Sequence, residues 1–390
     1  MKTQCTKKLT QVGLLVLAGL LLFTPNVSGV NLEPPIPTSE TLDQVDSTTP
    51  ILPISSVPYK ISSSGFYYLT GDLTAAETAI TVEANDVTID LRGQQLIGPD
   101  SGGNYGIYMN ACGNVEVRNG TVRNFGFYGI CEASSRSGKG HRLISVQAMS
   151  NGGKGVFLKG SGHLVKDCTA AKNGGDGIDV EYGSTLTGNT AYENQGAGIM
   201  ARGSCTVSGN TTDDNQSNGI YTDSSCTVSG NTASRNQGSG IYTGWGCTVT
   251  SNTTDDNQSN GIYTNSNSTI TENAVNDNQH TGIYTESGCT VSTNTARGNN
   301  RSNVGDYAGI RVFTDCVVKG NTVDYNKQNN ICVVGSGNSI EENVVTNSTN
   351  GIYFITIGNF YANNRASGNT TDFAGCVPKG DGDGGGNTGS

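Results

Sequence analysis

GIYTDSSCTVSGNTASRNQGS, residues 219–239, follows GIMARGSCTVSGNTTDDNQSN (198–218) and precedes GIYTGWGCTVTSNTTDDNQSN (240–260). GIYTNSNSTITENAVNDNQHT (261–281) and GIYTESGCTVSTNTARGNN (282–300) continue the series, so the chain repeats every 21 residues. A fixed period of this size, rich in Gly and Asn, belongs to a solenoid whose units bury an apolar face only by stacking on one another. Alternation within a unit calls for strands: Ile220 and Thr222 face inward and Tyr221 outward, while Cys226 and Val228 face inward and Thr227 and Ser229 outward. Short strands joined by Gly, Asn and Asp turns leave no room for helices. The reading is all-β, a right-handed parallel β-helix.

Glycine-led starts recur from Gly106 and Gly129 to Gly351, and with an irregular first coil at Ile80 they predict about 12–13 coils. Asn189, Asn210, Asn231, Asn252, Asn273, Asn294 and Asn321 recur at one place in the coil, and Asn194, Asn215, Asn236, Asn257 and Asn278 at another. Stacked amides pair along the axis and satisfy turn backbone. Cys205, Cys226, Cys247, Cys289 and Cys316 form an inward ladder in which Ser184 and Ser268 substitute. In-register neighbours fall within disulfide reach, so packed free thiols and disulfides are both open at this point.

Outside the rod, Lys2, Lys7 and Lys8, the apolar run Val12–Phe23 and Val27-Ser28-Gly29 read as a signal peptide over 1–29. The protein is therefore expected to be secreted, to the periplasm or beyond, without membrane insertion. The Pro-rich segment 30–56 reads as a linker, 57–379 as the β-helix, and 380–390 as a flexible Gly/Asp tail with a faint likeness to calcium turns. The formal charge of −10 argues against nucleic acid as a partner. A monomer is expected, with no cofactor and no metal.

The segments ISSSGFYYLTGDL, ITVEANDVTIDLRGQQLIGP and GIYMNACGNVEVRNGTVRNFGFYGI, within 61–130, resemble secreted β-helix repeat proteins of the pectate-lyase-like superfold. The resemblance implies an acidic polysaccharide as partner and β-helical lyases of the alginate type as relatives. Other signatures of that fold are missing: no Gly-His-Gly beside converging aspartates, no Asp-Pro-His, no Arg-x-Pro with an Asp-rich calcium cluster.

Charge locates the expected site. From Gly177 to Ala296 the only Lys or Arg residues are Arg202 and Arg235, whereas 118–172 holds nine such cations against Glu132 and Asp167. A positive patch on an acidic protein attracts anionic ligands. β-Elimination of a uronate needs charge neutralisation at the carboxylate, a base for the C5 proton and an acid for the leaving oxygen. The catalytic candidates are Tyr128, Lys154, His141 and Lys166, with Lys154 as base and Tyr128 as acid or the roles exchanged. The substrate-binding candidates are Tyr105, Lys139, Arg142, Lys159, His163 and Arg202. His141 and His163, in matching Gly-His contexts, become core residues if they face inward. A reserve cluster comprises Arg297, Arg301, Asp306, Tyr307, Arg311 and Lys319. Three other readings stay open: a glycan-binding rod, an ice-binding rod built on the outward Thr columns, and a hydrolase using Asp176, Asp179 and Glu181.

Overall fold

The computed structural model describes residues 50–132, 138–303, 305–379 and 382–389. The expected signal peptide, most of the expected linker, and Arg136, one of the nine cations of 118–172, lie outside the described residues. Every ladder between strands is parallel, and each coil contributes strands of mostly three residues, such as Ile220–Thr222, Thr227–Ser229 and Thr232–Ser234. The chain is thus a right-handed parallel β-helix without an α-helix among the described residues. None of them forms a helix long and apolar enough to cross a membrane.

The GIYT strands stack into a sheet of fifteen strands, from Tyr59–Ile61 to Thr371–Gly375, one rung beyond the thirteen expected coils at either end. At strand spacing this gives a rod about 70 Å long. The other two faces join into a sheet of 27 strands, because Val115–Arg123 and Arg142–Met149 run unbroken from one face to the next.

Two segments differ from expectation. Ile51–Ile54, placed by its prolines in the linker, pairs with Gly65–Leu69 and closes the rod's first end. At the other end, Asp383 and Thr388 bridge to Tyr361 and Arg365, and Asn387 accepts from the Asn364 amide. The open last coil offers unpaired backbone, and these residues satisfy it.

The core is a set of stacked ladders. Ile199, Ile220, Ile241, Ile262 and Ile283 are fully buried in register. Each contributes about 1.5–3 kcal/mol by leaving water. Asn231 is typical of its ladder: its Oδ1 accepts from the Asn210 backbone amide (2.9 Å) and side chain (3.0 Å), while its Nδ2 donates to Val207 O and Asn252 Oδ1, both at 2.9 Å. The second ladder explains the start glycines. A Cβ on Gly219 would lie 2.7 Å from Asn236 Nδ2 and 2.6 Å from Gly240 O, so only glycine fits.

The cysteine ladder has the same logic. Cys205 N–H donates to Cys226 Sγ (3.3 Å), and the Cys226 thiol donates to Arg202 O (3.1 Å). All the described cysteines are free thiols, and all but Cys376 are buried. The position requires a side chain that accepts the backbone N–H of the preceding rung, which is why Ser184, Ser268 and Asn338 also occupy it. Hydrogen bonding, rather than packing alone, fixes its chemistry.

Candidate functional site

The GIYT face carries outward side chains at fixed register, and in the coils from Gly106 to Gly155 two of the three strand positions are aromatic. Tyr108, Cys131 and Phe157 stack across adjacent strands. Tyr105 lies 4.8 Å from Tyr108 between ring centroids and 6.0 Å from Tyr128, and Phe127 stacks on Tyr128 at 3.8 Å. Tyr105, Tyr108, Tyr128, Cys131, Glu132, Phe157 and Lys159 line a recess of about 260 Å³. Burial raises the pKa of Tyr105 and of Tyr128, so both phenols stay protonated and able to donate.

Tyr128 and Lys154 do come together across one coil spacing. Both reach Phe157, Tyr128 edge-on at 5.6 Å and the Lys154 ammonium at 4.7 Å from the ring centroid. The ammonium, however, is occupied. It lies 3.0 Å from Asp176 Oδ2 and makes a very short contact with Asp179 Oδ2. Burial acts to lower its pKa, but the charge of Asp179 and the bonds to both carboxylates outweigh burial, and the pKa is raised. Lys154 therefore holds its proton, contrary to the role of base expected for it. The Asp179 carboxyl also shifts upward, because its side chain is 1% exposed and burial dominates there. At neutral pH two carboxylates converging on one ammonium favour the charged arrangement, so the contact geometry decides.

The remaining cations are spread around the rod. Lys159 belongs to the recess, its ammonium 5.3 Å from the Phe157 ring centroid, and has no ion pair among the described residues. Arg142 lies on the 27-stranded sheet and is held by Glu116 (2.9 Å) and Asn114 (2.6 Å). Lys166, on the same sheet, faces Asp167 at 3.8 Å. Lys139 bridges Ser161 in the turn beyond the GIYT strands, and Arg202 faces Asp223 at 3.9 Å. Thus Arg142 and Lys166 do not share a face with Tyr128. In the reserve cluster Arg301 meets Asp256 at 2.7 Å and Lys319 meets Glu342 at 3.1 Å, while Arg311 lies against the rings of Tyr284 and Phe313.

His141 and His163 are buried and stack at 5.2 Å, which corrects their assignment to the substrate face. They are the first members of the cysteine ladder. His141 Nδ1 accepts from Val115 N–H and His163 Nδ1 from His141 N–H, both at 3.2 Å, and His163 N–H donates to Ser184 Oγ. Facing them is Glu132, an inward residue of Ile130–Glu132, with Oε2 3.7 Å from both Nε2 atoms. Neither carboxylate oxygen makes a well-formed hydrogen bond among the described residues, although the Gly138 amide lies close enough to act on the group. Burial pushes Glu132 up to about 8, opposed by the Gly138 amide, and burial with His163 and Arg142 lowers His141 to about 4.

This trio has the composition of a metal site, its ligand atoms lying within 4.8 Å of one another. The protons exclude it. Each Nδ1 accepts a backbone N–H, so each neutral ring carries its own proton on Nε2, and His163 Nε2 donates that proton to Lys159 O at 2.7 Å. A metal ligand uses one ring nitrogen and donates from the other. Here a metal on Nε2 would require an imidazolate, so the trio is a buried polar cluster of the core.

Residues 137–264 match the family model described as right handed beta helix region. Among curated proteins none matches by sequence. Solved structures of similar coil architecture include the Azotobacter vinelandii mannuronan C-5 epimerase AlgE4 A-module, 15% identical over 85% of this chain and 89% of that one, with a TM-score of 0.46. The periplasmic alginate epimerase AlgG is 14% identical over 73% and 76%, with a TM-score of 0.48. DFA-IIIase from Arthrobacter chlorophenolicus A6 is 12% identical over 70% and 74%, with a TM-score of 0.39.

Proposed function

We propose that the protein is an exported glycan-binding β-helix whose principal site, the aromatic recess over the coils of Gly106 to Gly155, takes an acidic polysaccharide. The observation that carries this reading is the pairing of Tyr105, Tyr108, Tyr128 and Phe157 with the unpaired cation Lys159 in one recess. Aromatic rings pack against the apolar faces of sugars, phenols donate to ring hydroxyls, and an ammonium selects a carboxylate. The volume, about 260 Å³, is below the roughly 300–1,000 Å³ of enclosed small-molecule sites, which suits one unit of a chain passing over the surface.

Polyuronate lyase activity is the second reading, favoured by Tyr128, which burial keeps protonated as an acid beside the recess. Its weakness is the base, because Lys154 is committed to two aspartates. Titration calorimetry with alginate, polygalacturonate and hyaluronan tests binding, and ultraviolet absorbance of the same mixtures tests elimination. Saturable heat without new absorbance supports the binder, and new absorbance that Tyr128→Phe removes establishes the lyase instead. No heat with any of these polymers eliminates both.

A further inference from the structure

Farther along the same face the repeat is broken by two aromatic residues. The turn after each GIYT strand stacks residues 182, 203, 224, 245, 266 and 287, as Gly183 N–H to Gly203 O (3.1 Å), Ser204 N–H to Ser224 O (3.0 Å) and Ser225 N–H to Trp245 O (2.9 Å) demonstrate. The position is otherwise Gly or Ser, whereas Tyr182 and Trp245 are large and remain 53% and 60% exposed. Nothing in the coil's hydrogen bonding calls for either ring. They stand three rungs apart, about 14 Å by strand spacing.

Between them lies a recess of about 350 Å³, bordered by the tyrosine stack of the GIYT strands. Tyr221 and Tyr242 are 5.0 Å apart and within 5° of parallel. The floor is small and polar: Gly203, Ser224 and Gly244, with Asp223 at its edge. Tyr182 leans over Gly203, whose Cβ position would be 3.5 Å from the ring. Aromatic walls above a floor of hydroxyl and backbone groups match a pyranose, which has apolar C–H faces and a polar rim. Charge selects among sugars. Among the described residues Asp223 is countered only by Arg202, and the surrounding coils from Gly177 to Ala296 hold no other Lys or Arg but Arg235, so a polyanion is repelled.

We propose that this recess is a second carbohydrate site, specific for a neutral oligosaccharide running along the rod axis with its sugar faces on Tyr182 and Trp245. It is independent of the acidic-glycan reading, from which it differs in coil, charge and ligand.

Trp245 is the sole tryptophan in the chain, so tryptophan emission reports this site directly. The wild-type protein is titrated with cellohexaose, mannohexaose and laminarihexaose. A saturable change in emission is expected with at least one of them. Tyr182→Ala weakens that binding about tenfold, the effect of losing one stacking ring. Ser224→Leu, which fills the floor in an exposed turn, abolishes it. Lys159→Ala leaves it intact, which separates this site from the acidic-glycan recess. Unchanged emission and no calorimetric heat with all the hexaoses at millimolar concentration overturn the proposal. Equal affinity in the Ser224→Leu protein does so as well.

Discussion

The Lys154 ammonium rests against the Asp179 carboxylate of the next coil, with Asp176 as a second partner at 3.0 Å. That contact turns a candidate catalytic base into a structural cation. Asp179 is fully buried on an outward position of a strand, and its Oδ1 has no hydrogen-bond partner among the described residues.

Removing Lys154 therefore strands a buried carboxylate. Lys154→Ala is expected to lose about 3 kcal/mol or more, measured by urea denaturation. The double variant Lys154→Ala with Asp179→Asn recovers most of the loss, since no uncompensated charge remains. Additive losses would show that the pair is not coupled. The raised Lys154 pKa adds a pH signature: its stabilisation is complete below the unfolded lysine value and is lost as pH rises through the folded one, so the wild type weakens at strongly alkaline pH.

Glu132 gives the opposite end of the scale. Its folded pKa, about 8, exceeds the unfolded value, so the stability it contributes is complete below about pH 4.3 and is lost as pH rises through about 8. His141 is depressed to about 4, so its contribution is complete above about 6.5 and is lost as pH falls through about 4. Of these two groups only Glu132 slopes above pH 6.5. The charged or titratable groups around it are His141, His163, Lys159, Glu181, Cys112 and Cys131. Melting temperature should fall between pH 6.5 and 8 in the wild type, and that fall should vanish in Glu132→Gln. A persistent fall in the variant would assign the slope elsewhere.

The asparagine ladder is expected to be unforgiving. Asn231→Ala removes four hydrogen bonds and leaves the Asn210 amide buried without its acceptor, a loss of about 3 kcal/mol. Asn231→Asp should be no better, because a carboxylate cannot donate to Val207 O. Denaturation midpoints of the two variants check this.

At the thiol ladder, polarity should outrank apolarity. Cys226→Ser retains an acceptor for Cys205 N–H and should cost less than about 1 kcal/mol, whereas Cys226→Val orphans that amide and costs about 1–3 kcal/mol. Burial pushes Cys131 and Cys332 up to about 12 and Cys168 to about 11. In the native protein a thiol reagent should accordingly modify Cys376 before any other described cysteine. Rapid native labelling of several would contradict the buried ladder.

Lys159→Ala should weaken acidic-glycan binding and flatten its salt dependence, because it removes the one unpaired cation of the recess. Lys166→Ala, on the other sheet, serves as the control and should bind normally. Equal loss in both would mean a diffuse electrostatic effect rather than a site.

Residue spacing alone determined the coil, its inward ladders and its asparagine spines, because parallel in-register stacking repeats each local choice of the chain at the next rung. The same arithmetic runs from His163 through Ser184 to Cys205 and marks that histidine as a ladder residue, but the spacing of 22 residues between His141 and His163 obscures the family. Glu132 was legible too, standing where GIYT has its inward threonine. What only the tertiary structure decided is which charges meet. Lys154 was placed beside Tyr128 by register, yet its partners Asp176 and Asp179 come from the following coil, and side-chain reach selects among several carboxylates at that distance. Periodicity positions Cβ atoms; the pairing of long charged side chains depends on the packing around them.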